Sequence, residues 1–220
     1  MILDEAGSKG TGKWTSQSAM DLHYPVPTID LAVSLRDLSG YKKERASIEK
    51  IYGPSESKIE TDKDTFISQV RDALYVGMVN CYAQGMGLLH KASHEMQMDI
   101  PLADVVRIWR GGCIIRSSFL ETLCSTYEKD GQLENPLMSE EIVSLLKPKE
   151  KNARKAVATG IEKGIPVAGL ASTLSYFDAF RRKRLPVNLI QAQRDYFGSH
   201  TYKRIDEEGS FHTEWNGTAQ

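Results

Sequence analysis

Two stretches of this 220-residue chain hold residue types at spacings that could do chemistry. The first is Gly7-Ser8-Lys9-Gly10-Thr11-Gly12-Lys13-Trp14-Thr15-Ser16. Glycines alternating with lysines and hydroxyl residues let a backbone turn tightly while presenting N–H groups, an ammonium and a hydroxyl to an oxyanion. The spacing is not that of the Walker loop, which needs a longer gap between its glycines and a strand before it. Two readings of the stretch therefore stand, a phosphate-binding loop and a flexible entry into a helix. The second stretch is Asn188-Leu189-Ile190-Gln191-Ala192-Gln193-Arg194-Asp195-Tyr196-Phe197-Gly198-Ser199-His200-Thr201-Tyr202. Leu189, Ile190 and Gln193 fall on helical spacing, Pro186 suits a first turn, and Gly198 offers the left-handed residue that ends helices. The stretch reads as a helix that delivers Arg194 and His200, which flank its end, to a site.

Other chemistry-bearing residues have blander explanations. His90 and His94 sit one turn apart, a spacing that can chelate metal, but no third ligand neighbours them and no metal site is expected. Cys81, Cys113 and Cys124 form no CxxC pair and sit in apolar, helical contexts, which predicts reduced thiols in a cytoplasmic protein. Cys113 reads as a small core residue rather than a nucleophile. Arg36, on its own, reads as a surface arginine.

Charge narrows the partners. With 28 basic against 29 acidic residues the net charge is -1, so no whole-molecule field draws the chain to nucleic acid or anionic lipid. Any anion must be held locally. No stretch reaches the ~18 consecutive apolar residues of a membrane span, and Met1 to Gly7 lacks the pattern of a leader.

The elements that position these residues are helices. One is expected from Thr15, capped by Thr15 or Ser16 and ended by Pro25 and Pro27; a second opens at Pro27-Thr28 with a stripe of Leu31, Leu35 and Leu38. A charged helix and an exposed loop at Gly53-Pro54-Ser55-Glu56-Ser57 follow. The longest helix runs from about Asp64 to about His94, apolar nearly all round in its middle, and Gly77, Gly85 and Gly87 predict close packing against a neighbour. Asp99 is expected to cap the next helix, Gly111-Gly112 to kink or split it, and Ile114, Ile115, Phe119, Leu120 and Leu123 to resume its stripe. Shorter helices follow over Ser139 to Leu146, Lys151 to Lys163, and Pro166 to Arg181. No segment alternates like a strand, so the class is all-α. Residues 1–203 read as one helical domain and 204–220 as an irregular tail. Its Phe211 and Trp215 either fold back on their own domain or insert into another subunit.

Three blocks read together carry a resemblance: Ile2 to Gly7 with Lys9 to Thr15, then Ile108-Trp109-Arg110-Gly111-Gly112-Cys113-Ile114-Ile115-Arg116, then Leu185-Pro186 through Tyr202. They resemble, along the whole chain, the C-terminal helical part of decarboxylating 6-phosphogluconate dehydrogenases. The resemblance implies that fold, with Lys9, Thr11 and Arg36 on the substrate's phosphate. It also implies a homodimer whose partner contributes the residues matching Arg194 and His200, so that each site is shared between chains. Family enzymes open with an NADP-binding Rossmann domain followed by a helix bearing a catalytic lysine and glutamate. Neither is found in these residues, so no catalytic and no cofactor-binding residue is expected in this chain. The expected function is the substrate-binding and dimerisation part of an NADP-dependent enzyme that decarboxylates 6-phosphogluconate to ribulose 5-phosphate in the pentose phosphate pathway. The isolated chain is expected to be inactive unless a separate coenzyme-binding domain complements it. The alternative is a non-catalytic helical dimer or scaffold that keeps the fold.

Overall fold

The computed structural model of the chain describes residues 1–54, 58–215 and 217. Among them the fold is all-α, with ten α-helices and no strand, only an isolated antiparallel bridge between Tyr202 and Phe211. The helices are α1 (Thr11–Asp21), α2 (Pro27–Ser39), α3 (Lys42–Tyr52), α4 (Lys63–Glu95), α5 (Leu102–Trp109), α6 (Phe119–Lys129), α7 (Glu140–Leu146), α8 (Glu150–Glu162), α9 (Ala168–Phe180) and α10 (Val187–Gly198). Two compact units are distinguished, Met1–Phe177 and Asp178–Gln220. Ser55, Glu56 and Ser57 of the expected loop lie outside the described residues.

The first unit is built round α4, whose 33 residues start at a true cap: the Asp62 side chain accepts from the Asp64 and Thr65 N–H groups, both at 3.1 Å. Val76, Val79, Ala83 and Met86 share one buried face, and every residue from Val76 to Leu88 is buried or half-buried. Apolar residues from α5, α6, α7 and α8, including Val106, Leu120, Leu123, Ile142, Leu146 and Val157, close round it as one core. Across the α4 and α8 interface, Asn152 donates to the buried Asp72 carboxylate at 2.7 Å, and Lys149 approaches the same carboxylate at 3.6 Å.

Two buried polar contacts set how the other elements meet α4. Gln84, fully buried, accepts from the Thr28 N–H and donates to the Thr28 hydroxyl, both at 3.0 Å, while that hydroxyl also meets Ser172 at 3.2 Å. One amide thereby fixes the start of α2. Lower down, Asn135 donates from one nitrogen to the Tyr24 and Tyr176 hydroxyls, each at 3.0 Å. Burial pushes both phenols up, keeping them neutral hydroxyls able to accept.

The glycine expectation holds for two of three positions. A β-carbon at Gly77 would stand 3.1 Å from Leu170, and one at Gly87 would stand 1.7 Å from the Tyr24 hydroxyl. Gly85 meets nothing within 4 Å; it borders an open cavity instead.

Three local expectations need correcting. The first helix begins at Thr11 rather than Thr15, because Gly10, at φ 97, turns the chain so that Trp14 N–H already reaches the Gly10 carbonyl at 3.0 Å. Asp99 does not cap α5: Pro101 occupies that place, and Asp99 lies in a left-handed turn at φ 49. The stripe does not resume at Ile114, since residues 110–118 are irregular and α6 starts at Phe119. Gly112, at φ 70, breaks the helix, Ile114 is fully exposed, and Tyr82 bonds the Ile115 carbonyl and the Ser117 hydroxyl across the gap. Cys113 accordingly lies half-buried in this irregular segment and not in a helix.

Gly87→Ala tests the packing directly. The added methyl drives the Tyr24 hydroxyl off Asn135, and the variant unfolds with a lower Tm, by about 2–3 kcal/mol of stability. A thermal melt matching the parent chain would contradict this arrangement.

Candidate functional site

The glycine-rich stretch forms not a free loop but the first turn of α1. No side chain caps it, and the N–H groups of Thr11, Gly12 and Lys13 find no partner among the described residues. Such a turn concentrates positive dipole where an anion can accept from several amides at once.

Arg36 is brought to the same place from the last turn of α2. A β-carbon on Gly12 would stand 3.4 Å from Arg36 Nη1 and 3.1 Å from Val33, so the glycine makes room for the guanidinium beside the open amides. Among the described residues Arg36 forms an ion pair only with the adjacent, exposed Asp37 at 3.2 Å, which leaves donors available. Lys9 and Thr11 are exposed on the entry to this turn, and Lys9 makes no ion pair among the described residues. The structure thus gathers Lys9, Thr11 and Arg36 around one helix start.

A clamp that the sequence did not disclose holds this entry segment. Asp4 pairs with Lys42 and with Arg45, the latter at 3.0 Å, and the Ala6 N–H donates to the Ser39 hydroxyl at 2.9 Å. Lys42 first and Arg45 next hold the Asp4 carboxyl at about 2. Ser39 in turn donates to the Arg36 carbonyl at 2.5 Å, so the segment leading to Lys9 is tied to the helix end that carries Arg36.

In the second unit, α10 presents Arg194, with His200 just beyond its end; both are exposed and neither makes a side-chain hydrogen bond or ion pair among the described residues. Gly198 is the last helical residue rather than the left-handed one, and that role falls to Ser199 at φ 50. Gly198 serves space instead: a β-carbon there would sit 3.0 Å from the His200 ring. Thr201 is left-handed too, at φ 59. Non-glycine residues in that region cost about 1–3 kcal/mol each, so this turn must be held from outside.

Asp195 holds it. This carboxylate is fully buried and accepts four hydrogen bonds. Thr201 N–H and His212 Nδ1 share Oδ1 at 2.9 Å each, and Thr213 N–H at 3.0 Å and Trp215 Nε1 at 2.9 Å share Oδ2. The tail therefore folds back: Tyr202 and Phe211 exchange backbone bonds at 2.8 Å, and Trp215 lies edge-on to Tyr196. Nothing in the spacing of residues 188–202 singled out Asp195. The available signal was an acid amid aromatics, upstream of a tail whose His212 and Trp215 both carry N–H donors.

Elsewhere the chemistry is sparse. A cavity of about 590 Å³ beside Met78, Cys81, Gly85, Trp109 and Ile115 is mostly apolar, and burial pushes the Cys81 thiol up, away from a nucleophilic thiolate. Among the described residues no three His, Cys, Asp or Glu side chains converge as metal ligands, and no helix is long and apolar enough to cross a membrane.

Comparison with known proteins gives this geometry a context. A family model for the C-terminal domain of 6-phosphogluconate dehydrogenase matches residues 1–215. The chain is 45% identical over 214 residues to the decarboxylating 6-phosphogluconate dehydrogenase of Lactococcus lactis subsp. lactis, covering 97% of this chain and 45% of that one. It is 46% identical over 216 residues to the Synechococcus elongatus enzyme of the same description, covering 98% and 46%. The structure of Plasmodium falciparum 6-phosphogluconate dehydrogenase, studied in its apo form and with its cofactor NADP+ or its substrate 6-phosphogluconate, superposes with a TM-score of 0.93. That match has 40% identity over 98% of this chain and 46% of that chain. The chain thus spans less than half the length of the relatives it matches.

The Asp195 cluster also sets a pH window for the tail. The Asp195 hydrogen bond raises His212 above its ordinary value of 6.5, so the imidazole's contribution is complete below about pH 6.5 and is lost as pH rises through the raised value. Burial pulls the Asp195 carboxyl up, but His212, Thr213 N–H and Trp215 outweigh it and hold it at about 2. Its contribution is complete above about pH 4 and is lost as pH falls toward 2. The tail is held best between those limits. The Trp215 indole N–H chemical shift, followed by NMR, moves with an inflection above pH 6.5; a shift flat from about pH 5 to about pH 9 contradicts the window.

Proposed function

The chain belongs to the 6-phosphogluconate dehydrogenase family, and from that premise we propose that it supplies the phosphate-binding and dimerisation part of a decarboxylating 6-phosphogluconate dehydrogenase. The observation that carries the reading is the uncapped first turn of α1 with Arg36 drawn against Gly12. A phosphate there takes the Thr11, Gly12 and Lys13 amides, the Thr11 hydroxyl, the Lys9 ammonium and paired donors from Arg36. A dianion suits this set better than a neutral sugar group, because cationic and amide donors are assembled with no acidic partner among the described residues beyond the exposed Asp37.

Arg194 and His200 complete the proposal from the other unit. In a homodimer they reach the partner's site, the guanidinium adding charge to the phosphate and the imidazole bonding a sugar hydroxyl. Support for a dimer comes from the surface around them: Leu189, Ile190 and Phe197 stand 73%, 56% and 75% exposed, a cluster that gains by burial against another subunit.

The NADP that the Plasmodium falciparum relative takes as its cofactor finds no fitting seat in these residues. Dinucleotide binding of the Rossmann kind rests on a strand leading through a glycine turn into a helix, and no strand occurs among the described residues. No hydride or proton-transfer step is therefore assigned to this chain. Its residues bind and orient the sugar phosphate; oxidative decarboxylation needs a coenzyme-binding domain beside them, as part of the same protein or as a separate one.

Calorimetric titration of 6-phosphogluconate at low salt tests the reading, with Arg36→Ala and Arg194→Ala alongside. The parent chain binds saturably, and each variant loses about tenfold to a hundredfold in affinity, as expected when a charged donor to phosphate is removed. Absence of binding by a folded, dimeric chain sinks this reading and favours the scaffold. Added coenzyme-binding domain then yields NADP reduction only if the assembled site is competent.

A further inference from the structure

The C-terminal tail is joined to the chain just past His200 by the Tyr202–Phe211 backbone pair and by the Tyr202 and Thr213 hydroxyls, at 2.6 Å, but to the His200 turn itself through the Asp195 side chain. Oδ1 of Asp195 is shared by Thr201 N–H, in that turn, and by His212 Nδ1, in the tail, each at 2.9 Å. Oδ2 is filled by two more tail donors, Thr213 N–H and Trp215 Nε1. The turn has left-handed residues on both sides of His200, Ser199 at φ 50 and Thr201 at φ 59, and among the described residues its one other side-chain hold is Gln191 donating to the Thr201 carbonyl at 2.6 Å.

We propose that Asp195 and His212 are positioning residues for His200, so that docking of the tail determines where the His200 imidazole stands in the sugar-phosphate site. The inference rests on the reading of His200 given above. With the tail in place, the carboxylate has no lone pair left for water and is fully buried, so its bond to Thr201 is short and fixed in direction. Without the tail the carboxylate faces solvent, its hold on Thr201 competes with water, and the left-handed turn relaxes. The titratable groups facing His212 are Asp195 and the exposed Glu214, whose carboxylate lies 3.8 Å from Nε2. His212 thus bridges the buried acid and solvent, and its charge state adjusts the dock. His200 touches the ligand; His212 acts through it.

The test uses the full chain with labelled histidines, in the parent and in His212→Ala and His212→Asn. An Asn amide nitrogen occupies the place of Nδ1 and can donate to Asp195 without titrating. His200 ring resonances move in His212→Ala and return to parent positions in His212→Asn, and 6-phosphogluconate affinity falls about tenfold in the first variant and is restored in the second. A second His200→Ala change in the His212→Ala background adds little further loss, because the two act on one contact. His200 resonances that stay in place in His212→Ala, or that move equally in both variants, overturn the proposal. If His212→Ala does not fold, Trp215→Phe takes its place by removing the indole donor to Asp195 Oδ2: displaced His200 resonances support the coupling, and resonances at the parent positions refute it. A parent chain that binds no 6-phosphogluconate refutes the substrate reading only, since the resonances still report whether the tail positions His200.

Discussion

The arrangement of the first unit depends on the exchange between Gln84 and Thr28. A helix with no exposed residue through its middle, as α4 is from Val76 to Leu88, offers polar groups only at a cost of a few kcal/mol each unless they are paired. Gln84 is fully buried there, and its amide is satisfied at both ends by one residue, the second of α2. That double bond of donor and acceptor leaves α2 little choice of direction or register. Because α2 is fixed at its start, Arg36 at its other end arrives beside Gly12, and the entry segment pinned by Asp4 and Ser39 arrives with it. The donors proposed to take an anion are thus held by a buried pair more than two turns along α2 from Arg36.

The second unit uses the same logic with a charge in place of an amide. Asp195 sits at the end of α10, where carbonyls and not N–H groups are left over, so the helix dipole does not favour a carboxylate. Four donors compensate, and they come from the turn and from the tail, not from the helix. A buried carboxylate whose partners come from elsewhere organises those partners; removing it strands four donors at once. The residue beside it, Arg194, is exposed, and its donors have no side-chain partner among the described residues. Adjacent residues on one helix therefore divide the work, one inward and structural, one outward and available for a ligand.

The helical class and most helix positions were legible in the residues, for reasons that lie in periodicity and punctuation. Leu31, Leu35 and Leu38 marked α2, Pro27 its start, and Gly164, at φ 65, the end of α8. The errors cluster where a backbone turn replaces a side-chain signal. A left-handed Gly10 started α1 without any capping residue, and left-handed Ser199 took the role that Gly198 was expected to play. The irregular passage from Arg110 to Ser118 was invisible because its residues, Ile114 and Ile115 among them, are apolar enough to imitate a helix. The proposed anion cluster was partly legible, since Lys9, Thr11 and Gly12 lie together in the chain. That Arg36 joins them came from the family resemblance and not from the local pattern, which marked it as a surface arginine, because the contact runs through a different helix. Asp195 escaped notice for the same reason: its partners lie as far as Trp215, and only folding brings them together.

Both proposed contributions to the site share a physical form. Of the groups proposed for a ligand, Lys9, Arg194 and His200 are exposed and without side-chain partners among the described residues, and Arg36 is half-buried with only the exposed Asp37 as its ion pair among them, while the groups that orient them, Gln84, Thr28 and Asp195, are buried and paired. The separation has an energetic reason. A donor already paired within the protein must give up that partner to bind a phosphate, and the exchange returns little net free energy. An unpaired donor on a mobile backbone spends much of its gain on being ordered. Holding open donors on a backbone fixed by satisfied buried groups avoids both losses, at the expense of leaving cationic and apolar surface uncovered in the lone chain. The exposed Leu189, Ile190 and Phe197 beside Arg194 are the apolar side of that expense, and association with a second copy would cover them while carrying Arg194 and His200 toward a phosphate.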